Sequence, residues 1–341
     1  MYKRQKYRRA DYIADQVMVV LGLDPSSRKG PMELQIEQQK MQMDGQKAQL
    51  DLQAQGRCRC YCIVPDAAGK PYAIALGTDK QNSVYLYRLS ATEKFPLLRQ
   101  FRGHQDYVTS LSVSADRKYL ASSSADSTVN LWSLQDLEQG RTMKGKWGAE
   151  LAVANDAVAV KSLHEAGPLY RRGVREGDVI TQIKWHDGKA EQSEKNPQKI
   201  AALLEGFPLF TQVVFEYSRQ QAVKPAFQLL PAWQPVASLF VSDDREWAYW
   251  TPEGYYDASI NGHTLFGWQV NRGLNQLPQF YRADQYRKTL ERPDIMHKLL
   301  SAGTLEGAFR AVEKEAPEEA SAVLPQHFAV TPSLKIMTPK M

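Results

Sequence analysis

The run Tyr107–Leu134, YVTSLSVSADRKYLASSSADSTVNLWSL, decides the fold. Val108, Leu111 and Val113 mark a first short strand, and Ser114-Ala115-Asp116 is a turn signal. Tyr119-Leu120-Ala121 opens a second strand. A turn around Ala125-Asp126-Ser127 leads into a third at Val129, Leu131 and Trp132. Short strands punctuated by turn residues roughly every 8–12 positions predict an all-β sandwich, barrel or propeller.

The same run recurs. Val236–Ala248 (VASLFVSDDREWA) matches Val108–Leu120 (VTSLSVSADRKYL) at seven of thirteen positions. Upstream, Tyr72–Tyr87 has the same ending: Gly77-Thr78-Asp79, a turn, then Val84, Leu86 and Tyr87. Tyr87 precedes Trp132 by 45 residues, the length of one four-stranded propeller blade.

Gly103-His104, Ser122, Asp126 and Trp132 resemble the signature of WD repeats. The resemblance implies partial WD-repeat β-propeller blades in which His104, Ser122, Asp126 and Trp132 form a hydrogen-bonded structural tetrad. A buried indole and imidazole need such partners. The run ends Trp132-Ser133 where the family has Trp-Asp, and the Tyr72–Tyr87 copy lacks the Gly-His pair. A closed propeller has about 4–8 blades. Two and a fraction are present, so the chain reads as a piece of something longer, with its true N-terminus open to doubt.

Val108 and Val236 lie 128 residues apart, a surplus of roughly 80 over one blade. Within the surplus, Gly167-Pro168-Leu169-Tyr170 through Gly173 to Gly177-Asp178-Val179-Ile180 resembles PDZ domains, so an inserted α+β PDZ-like domain is expected. Such domains add a ligand's C-terminal strand to a sheet edge beside a helix, and loop N–H groups hold its carboxylate. By position the loop would be Trp147-Gly148-Ala149-Glu150-Leu151, with Ile200 and Leu203 walling the side-chain pocket. Glu150 stands where the family has its second glycine, which sets a negative charge against a ligand carboxylate.

The aromatic stretch Trp247–Gly273, with Phe280–Leu300 after it, resembles a region of bacterial proteins that join a WD-repeat propeller to a caspase-like peptidase domain. Pro293 is placed to start a helix through Leu300. Val330–Met337 resembles the first strand of an immunoglobulin-like sandwich. At the other end, alternation from Leu50 to Cys62 predicts a strand and Asp44-Gly45 a hairpin turn, while composition favours helix over residues 32–43.

The resulting plan has an N-terminal segment, partly hairpin, at 1–56 and two WD-repeat-like blades at 57–140. The PDZ-like domain follows at 141–222, then a degenerate blade and aromatic segment at 223–275. A helical linker at 276–328 and the first strand of a truncated sandwich at 329–341 complete it. The fold class is mainly β, with a short helical C-terminal segment.

Composition sets the functional limits. Lys and Arg total 43 against 38 Asp and Glu, a spread-out surplus that does not call for nucleic acid. No apolar run is long enough for a membrane span. The three cysteines, Cys58, Cys60 and Cys62, leave the last 279 residues without a thiol nucleophile. Consecutive same-face strand cysteines are poorly spaced for tetrahedral metal ligation, and the six histidines form no H-E-x-x-H pair. No catalytic residue, cofactor or metal is expected, and proteins or C-terminal peptides are the expected partners. The reading is a non-catalytic interaction scaffold. Its alternative is the recognition arm of a caspase-like peptidase whose catalytic domain is not in this chain. The compartment is unknown, with the cytoplasm favoured.

Overall fold

The computed structural model describes the backbone of five strands between Tyr7 and Asp51, most of residues 56–315, and a strand at Ser333–Ile336; gaps include 90–94, 138–145 and 271–276. The chain is mainly β, in antiparallel sheets of the kind that form propeller blades, with short helices near its end. Residues 1–126 with 134–234 form one compact unit, and 127–133 with 235–341 a second.

The first unit opens with β1 (Tyr7–Ile13), β2 (Val17–Gly22), β3 (Glu33–Glu37), β4 (Lys40–Met43) and β5 (Ala48–Asp51), in that order in one sheet. Only β2 and β3 run parallel among these neighbours. The helix expected over 32–43 is thus replaced by two strands. Leu34 and Ile36, then Met41 and Met43, alternate with polar residues, and that period of two outweighs helix-favouring composition. The run from Leu50 to Cys62 is divided by Gly56 (φ +95°), where an added Cβ would lie 2.4 Å from Lys80 Cβ.

An antiparallel meander follows: β6 (Cys58–Pro65), β7 (Pro71–Thr78), β8 (Ser83–Arg88) and β9 (Leu97–Arg102). Ala73 to Leu76 and Val84 to Leu86 are fully buried, so β7 and β8 are covered on both faces. The next hairpin is β10 (Val108–Val113) with β11 (Tyr119–Ser124), and β12 (Thr128–Ser133) follows in the chain. The packing of β10 on the meander is close at Gly77. A Cβ there would sit 2.5 Å from Cys60 Sγ and 2.8 Å from Val108 Cγ1.

The 45-residue repeat is visible in backbone geometry. Asn82 (φ +49°) and Ser127 (φ +66°) are equivalent positions in the turns before β8 and β12, and both are left-handed.

The inserted module comprises β13 (Ala149–Ala154), β14 (Ala157–Leu163), α1 (Pro168–Arg171), β15 (Val179–His186), β16 (Glu191–Glu194), α2 (Pro197–Gly206), β17 (Val213–Arg219) and β18 (Ala222–Leu229). Its antiparallel sheet has the order β13-β14-β15-β17-β18, with β16 pairing β15. Pro197 follows the cap Asn196, whose side chain accepts the Lys199 N–H at 3.1 Å, so α2 starts where both residues direct it. Ile200 and Leu204 point into a core with Trp147, Val158, Ile183 and Phe215.

The module extends past residue 222, where the sequence plan ended it. β18 pairs with β17, and Phe227 stacks on Phe215 at 5.5 Å. The connecting turn uses Gln220 (φ +48°) and Gln221 (φ +66°), residues that carry no turn signal in sequence.

One charge holds the module's interior. Asp178 is fully buried and accepts both Arg219 Nε and Nη2 at 2.8 Å, plus the Arg175 N–H at 2.8 Å. Burial alone would raise its carboxyl, but the Arg219 fork and the backbone N–H outweigh this and hold it below the ordinary range.

In the second unit β12 pairs with β19 (Ala237–Val241), followed by β20 (Trp247–Trp250) and β21 (Tyr256–Ala258). The segment aligned with β10 in sequence therefore also serves as the neighbour of β12 and does not begin a separate blade. Its turn keeps the repeat. Arg117 (φ +60°) and Arg245 (φ +67°) stand 128 residues apart, and each donates its N–H to the serine three residues earlier, at 2.8 and 3.0 Å.

β22 (Phe266–Val270) lies between β23 (Gln279–Arg282) and β24 (Ser333–Ile336), and α3 (Arg287–Leu290), α4 (Pro293–Ala302) and α5 (Leu305–Glu315) precede β24. The described part of the segment expected as a linker is packed instead. Tyr256 Oη donates to Ala283 O, Arg292 N–H to Tyr256 O, and Trp268 lies against Tyr256 and Tyr286. The last strand, read as the start of a separate sandwich, is paired antiparallel with β22. Pro293 opens α4, and Gly303 (φ +83°) closes it in the left-handed conformation.

Two outcomes follow from this packing. Gly77→Ala should lower the urea midpoint by an amount equivalent to about 1–3 kcal/mol, because Cys60 Sγ and the Val108 side chain leave no room for a methyl. Asp178→Asn should cost about 2 kcal/mol near neutral pH, below the usual figure for a broken buried pair because Arg219 is 38% exposed and screened. Since the folded carboxyl titrates below its unfolded value, the difference between parent and variant should shrink as pH falls through about 4 and below, which urea titrations at stepped pH would show.

Candidate functional site

Two constellations were expected from sequence, and they involve separate stretches of the chain. In the blade, His104 and Asp126 are joined by Nδ1 to Oδ2 at 3.1 Å, and His104 and Ser122 by Nε2 to Oγ at 2.7 Å. A carboxylate only accepts, so Nδ1 carries the proton toward Asp126. Asp126 Oδ2 also accepts the Gln105 N–H at 2.7 Å. The loop before β10 is thereby fastened to the turn after β11. Trp132, the fourth residue, is fully buried in the second unit.

Hydroxyl, imidazole and carboxylate stand in the order of a hydrolytic triad. Ser122 is 1% exposed and His104 6%, however, so no carbonyl can reach the oxygen in this arrangement. The geometry is that of a strut.

The thiols are similarly committed to packing. Cys60 is buried with Sγ 3.8 Å from Val108 O, and Cys58 Sγ donates to Cys60 O at 3.3 Å. Burial, with the neighbouring Cys60 behind it, pushes the Cys58 thiol up to about 12. Among the described residues no group of three or more His, Cys, Asp or Glu is placed to hold a metal ion. Nor is any described helix long and apolar enough to cross a membrane.

The second constellation lies at the edge of the module. Trp147, Gly148 and Ala149 are buried at the start of β13, Leu151 is half-buried, and Glu150 is exposed. Glu150 turns away from the core and accepts the Ser162 hydroxyl at 3.2 Å. Ile200 is completely buried and backs the sheet, so Leu203, half-buried, is the member of that pair with free surface. Trp147, Ala149, Leu151, Ile200 and Leu203 share one apolar cluster. Gly148 is left-handed (φ +69°), and a Cβ on it would lie 2.7 Å from Gly167 Cα, so the loop tolerates no larger residue.

Sequence reasoning missed what anchors this loop to α2. Trp147 Nε1 donates to Leu204 O at 2.8 Å, and Lys146 Nζ to Glu205 O at 2.7 Å and Phe207 O at 2.5 Å. These donors occupy the carbonyls at the negative end of the helix and so remove a repulsion that an anion at the loop would meet. A lysine directly before the loop was the available signal. Burial lowers its ammonium from the ordinary lysine value. Among the described residues β13 has β14 on one side and is the terminal strand of its sheet. That edge can accept another strand.

Asp126→Ala should destabilise the chain by about 1–2 kcal/mol, because the buried His104 Nδ1 loses its acceptor, whereas the exposed Gln105 N–H can turn to water. Asp126→Asn should recover part of that loss; thermal unfolding of both variants would measure it.

Residues 95–133 match the family model of the WD domain, G-beta repeat. Over 86 residues the chain is 31% identical to the Target of rapamycin complex subunit wat1 of Schizosaccharomyces pombe, across 22% of this chain and 27% of that protein. The chain thus spans about a quarter of the length of the curated relative that it matches. Two solved structures are also similar. The PDZ domain of a carboxy-terminal protease from Vibrio cholerae, in complex with peptide, shares 19% identity over 24% of this chain and 88% of that one, with a TM-score of 0.21. Chaetomium thermophilum Sqt1, bound to the N-terminus of the ribosomal protein L10, shares 15% identity over 62% of each chain, with a TM-score of 0.23. The matched residues begin just before β9 and end at Ser133, so the element built around His104 coincides with the stretch that matches the repeat model.

Proposed function

We propose that this chain is a non-catalytic protein-interaction scaffold in which WD-repeat blades carry a PDZ-like module that takes the C-terminus of a partner protein. The observation that supports the reading is the edge of β13, unpaired among the described residues, beside α2, with the helix's terminal carbonyls already occupied by Trp147 and Lys146. An incoming strand would pair with β13 and set its last side chain against Leu203 and Leu151, while the loop from Trp147 to Leu151 faced the carboxylate. WD-repeat chains serve as interaction platforms, and the curated relative is by its name a complex subunit. Both support the scaffold.

The alternative is the recognition arm of a bacterial caspase-like peptidase. The likeness of Trp247–Gly273 and Phe280–Leu300 to chains that join the two domains supports it. In that setting the effector lies outside these residues, and the module supplies the control signal.

The test is a library of ten-residue peptides, each made with a free and an amidated C-terminus, titrated against the full chain by fluorescence anisotropy. Free carboxylates should be selected, and Leu203→Asp should weaken them by about tenfold or more. Equal binding of free and amidated forms, or no selection at all, would sink the peptide-terminus reading.

A further inference from the structure

The segment that leaves the module does more than connect. Trp233 is 2% exposed and makes a two-way backbone bridge to β9: its N–H donates to Gln100 O at 2.7 Å, and its carbonyl accepts the Arg102 N–H at 2.9 Å. Its indole lies between the blade and the module. On one side the Arg99 guanidinium stands 4.0 Å from the ring centroid. On the other the His164 ring meets it edge-on at 4.9 Å.

Arg99 is itself fixed, since it is 3% exposed and donates Nη2 to Gln135 O at 2.8 Å. His164 is 5% exposed and held in a tight turn, where its Nδ1 accepts the Ala166 N–H at 3.0 Å and its carbonyl the Gly167 N–H at 2.8 Å. The His164 N–H donates to Gly148 O at 2.9 Å. Gly148 is the left-handed residue of the candidate binding loop. An unbroken series of contacts therefore runs from β9 through Arg99, Trp233 and His164 to the loop.

We infer that Trp233 is a clamp by which the blade pre-organises the binding loop of the module. The loop holds one conformation because the turn of His164 is pressed between Gly148 and an indole that the blade fixes. Cation–π contact is strongest where, as here, both partners are dry. Ordering a loop before its ligand arrives removes that cost from binding. The coupling is reciprocal, so a ligand in the loop tightens the bridge at β9. Trp233 and Arg99 act as positioning residues, without contact to the peptide.

One arm of the test is independent of the peptide reading and one rests on it. In the ligand-free full chain, hydrogen exchange at the His164 amide is followed together with that of Ile183 in the core of the module. Trp233→Ala should speed exchange at His164 by about tenfold, and Arg99→Lys, which keeps the charge but loses the planar stack, by about threefold. The Ile183 amide should not change. Arg99→Lys is the informative variant should Trp233→Ala fail to fold. Equal acceleration at both amides, or none at His164, would overturn the clamp. In the second arm, the pool of free-carboxylate peptides should bind Arg99→Lys about threefold more weakly than the parent and should slow exchange at the Arg102 amide in the parent. Unchanged peptide affinity in Arg99→Lys would also overturn the clamp. Should the peptides bind no form of the chain, the peptide reading fails, and the exchange arm still decides the clamp.

Discussion

The bond from His104 to Asp126 is the constraint on which the blade depends. It joins the loop before β10 to the turn after β11, so this hairpin is held at its end as well as by its ladder. Both ring nitrogens of His104 have a use. Ser122 takes the other ring nitrogen, and Asp126 also takes the Gln105 N–H. A partly satisfied network of this kind would be worse than an apolar core; a satisfied one selects a single arrangement. Close packing does the rest, with Gly77 admitting Cys60 and Val108 where any side chain would hold β10 away.

The module solves the same problem by another route. It has its own apolar core, closed by α2, and a buried carboxylate whose charge is neutralised by Arg219 and the Arg175 N–H. Its loop is determined from three directions: Trp147 to the helix end, Gly148 to His164, and the close pass of Gly167. A recognition edge built this way has little to reorganise when a strand is added to it.

The fold was legible in sequence where its signals are local. The repeat spacing of 45 and 128 residues predicted which turns are equivalent, and Asn82 with Ser127, and Arg117 with Arg245, do share left-handed backbone. The bonds joining His104, Ser122 and Asp126 were legible because the types and spacing of these residues are demanding, and the tight turn at Gly148 because glycine marks it. Neighbour choice was not legible. Whether the strand at Ala237 starts a sheet or joins β12 depends on partners far away in the chain. The hairpin at Gln220-Gln221 gave no warning, since glutamine at positive φ is an exception that only the finished sheet enforces. Ile200 was read as a pocket wall because periodicity gives a helix face but not how deeply that face is buried. Trp233, with no motif around it, was invisible.

The pairing of β12 with β19 also bears on how such a chain can come about. The two strands are antiparallel neighbours, yet about a hundred residues separate them, a span whose closure costs little more than that of a far shorter loop. A module whose two ends meet side by side can be spliced into a hairpin in a single genetic event, leaving the ladder on either side in register. From the viewpoint of the sheet, the whole module is one very long turn. Ancestry then divides along that line: the strands and their guest can have had separate histories.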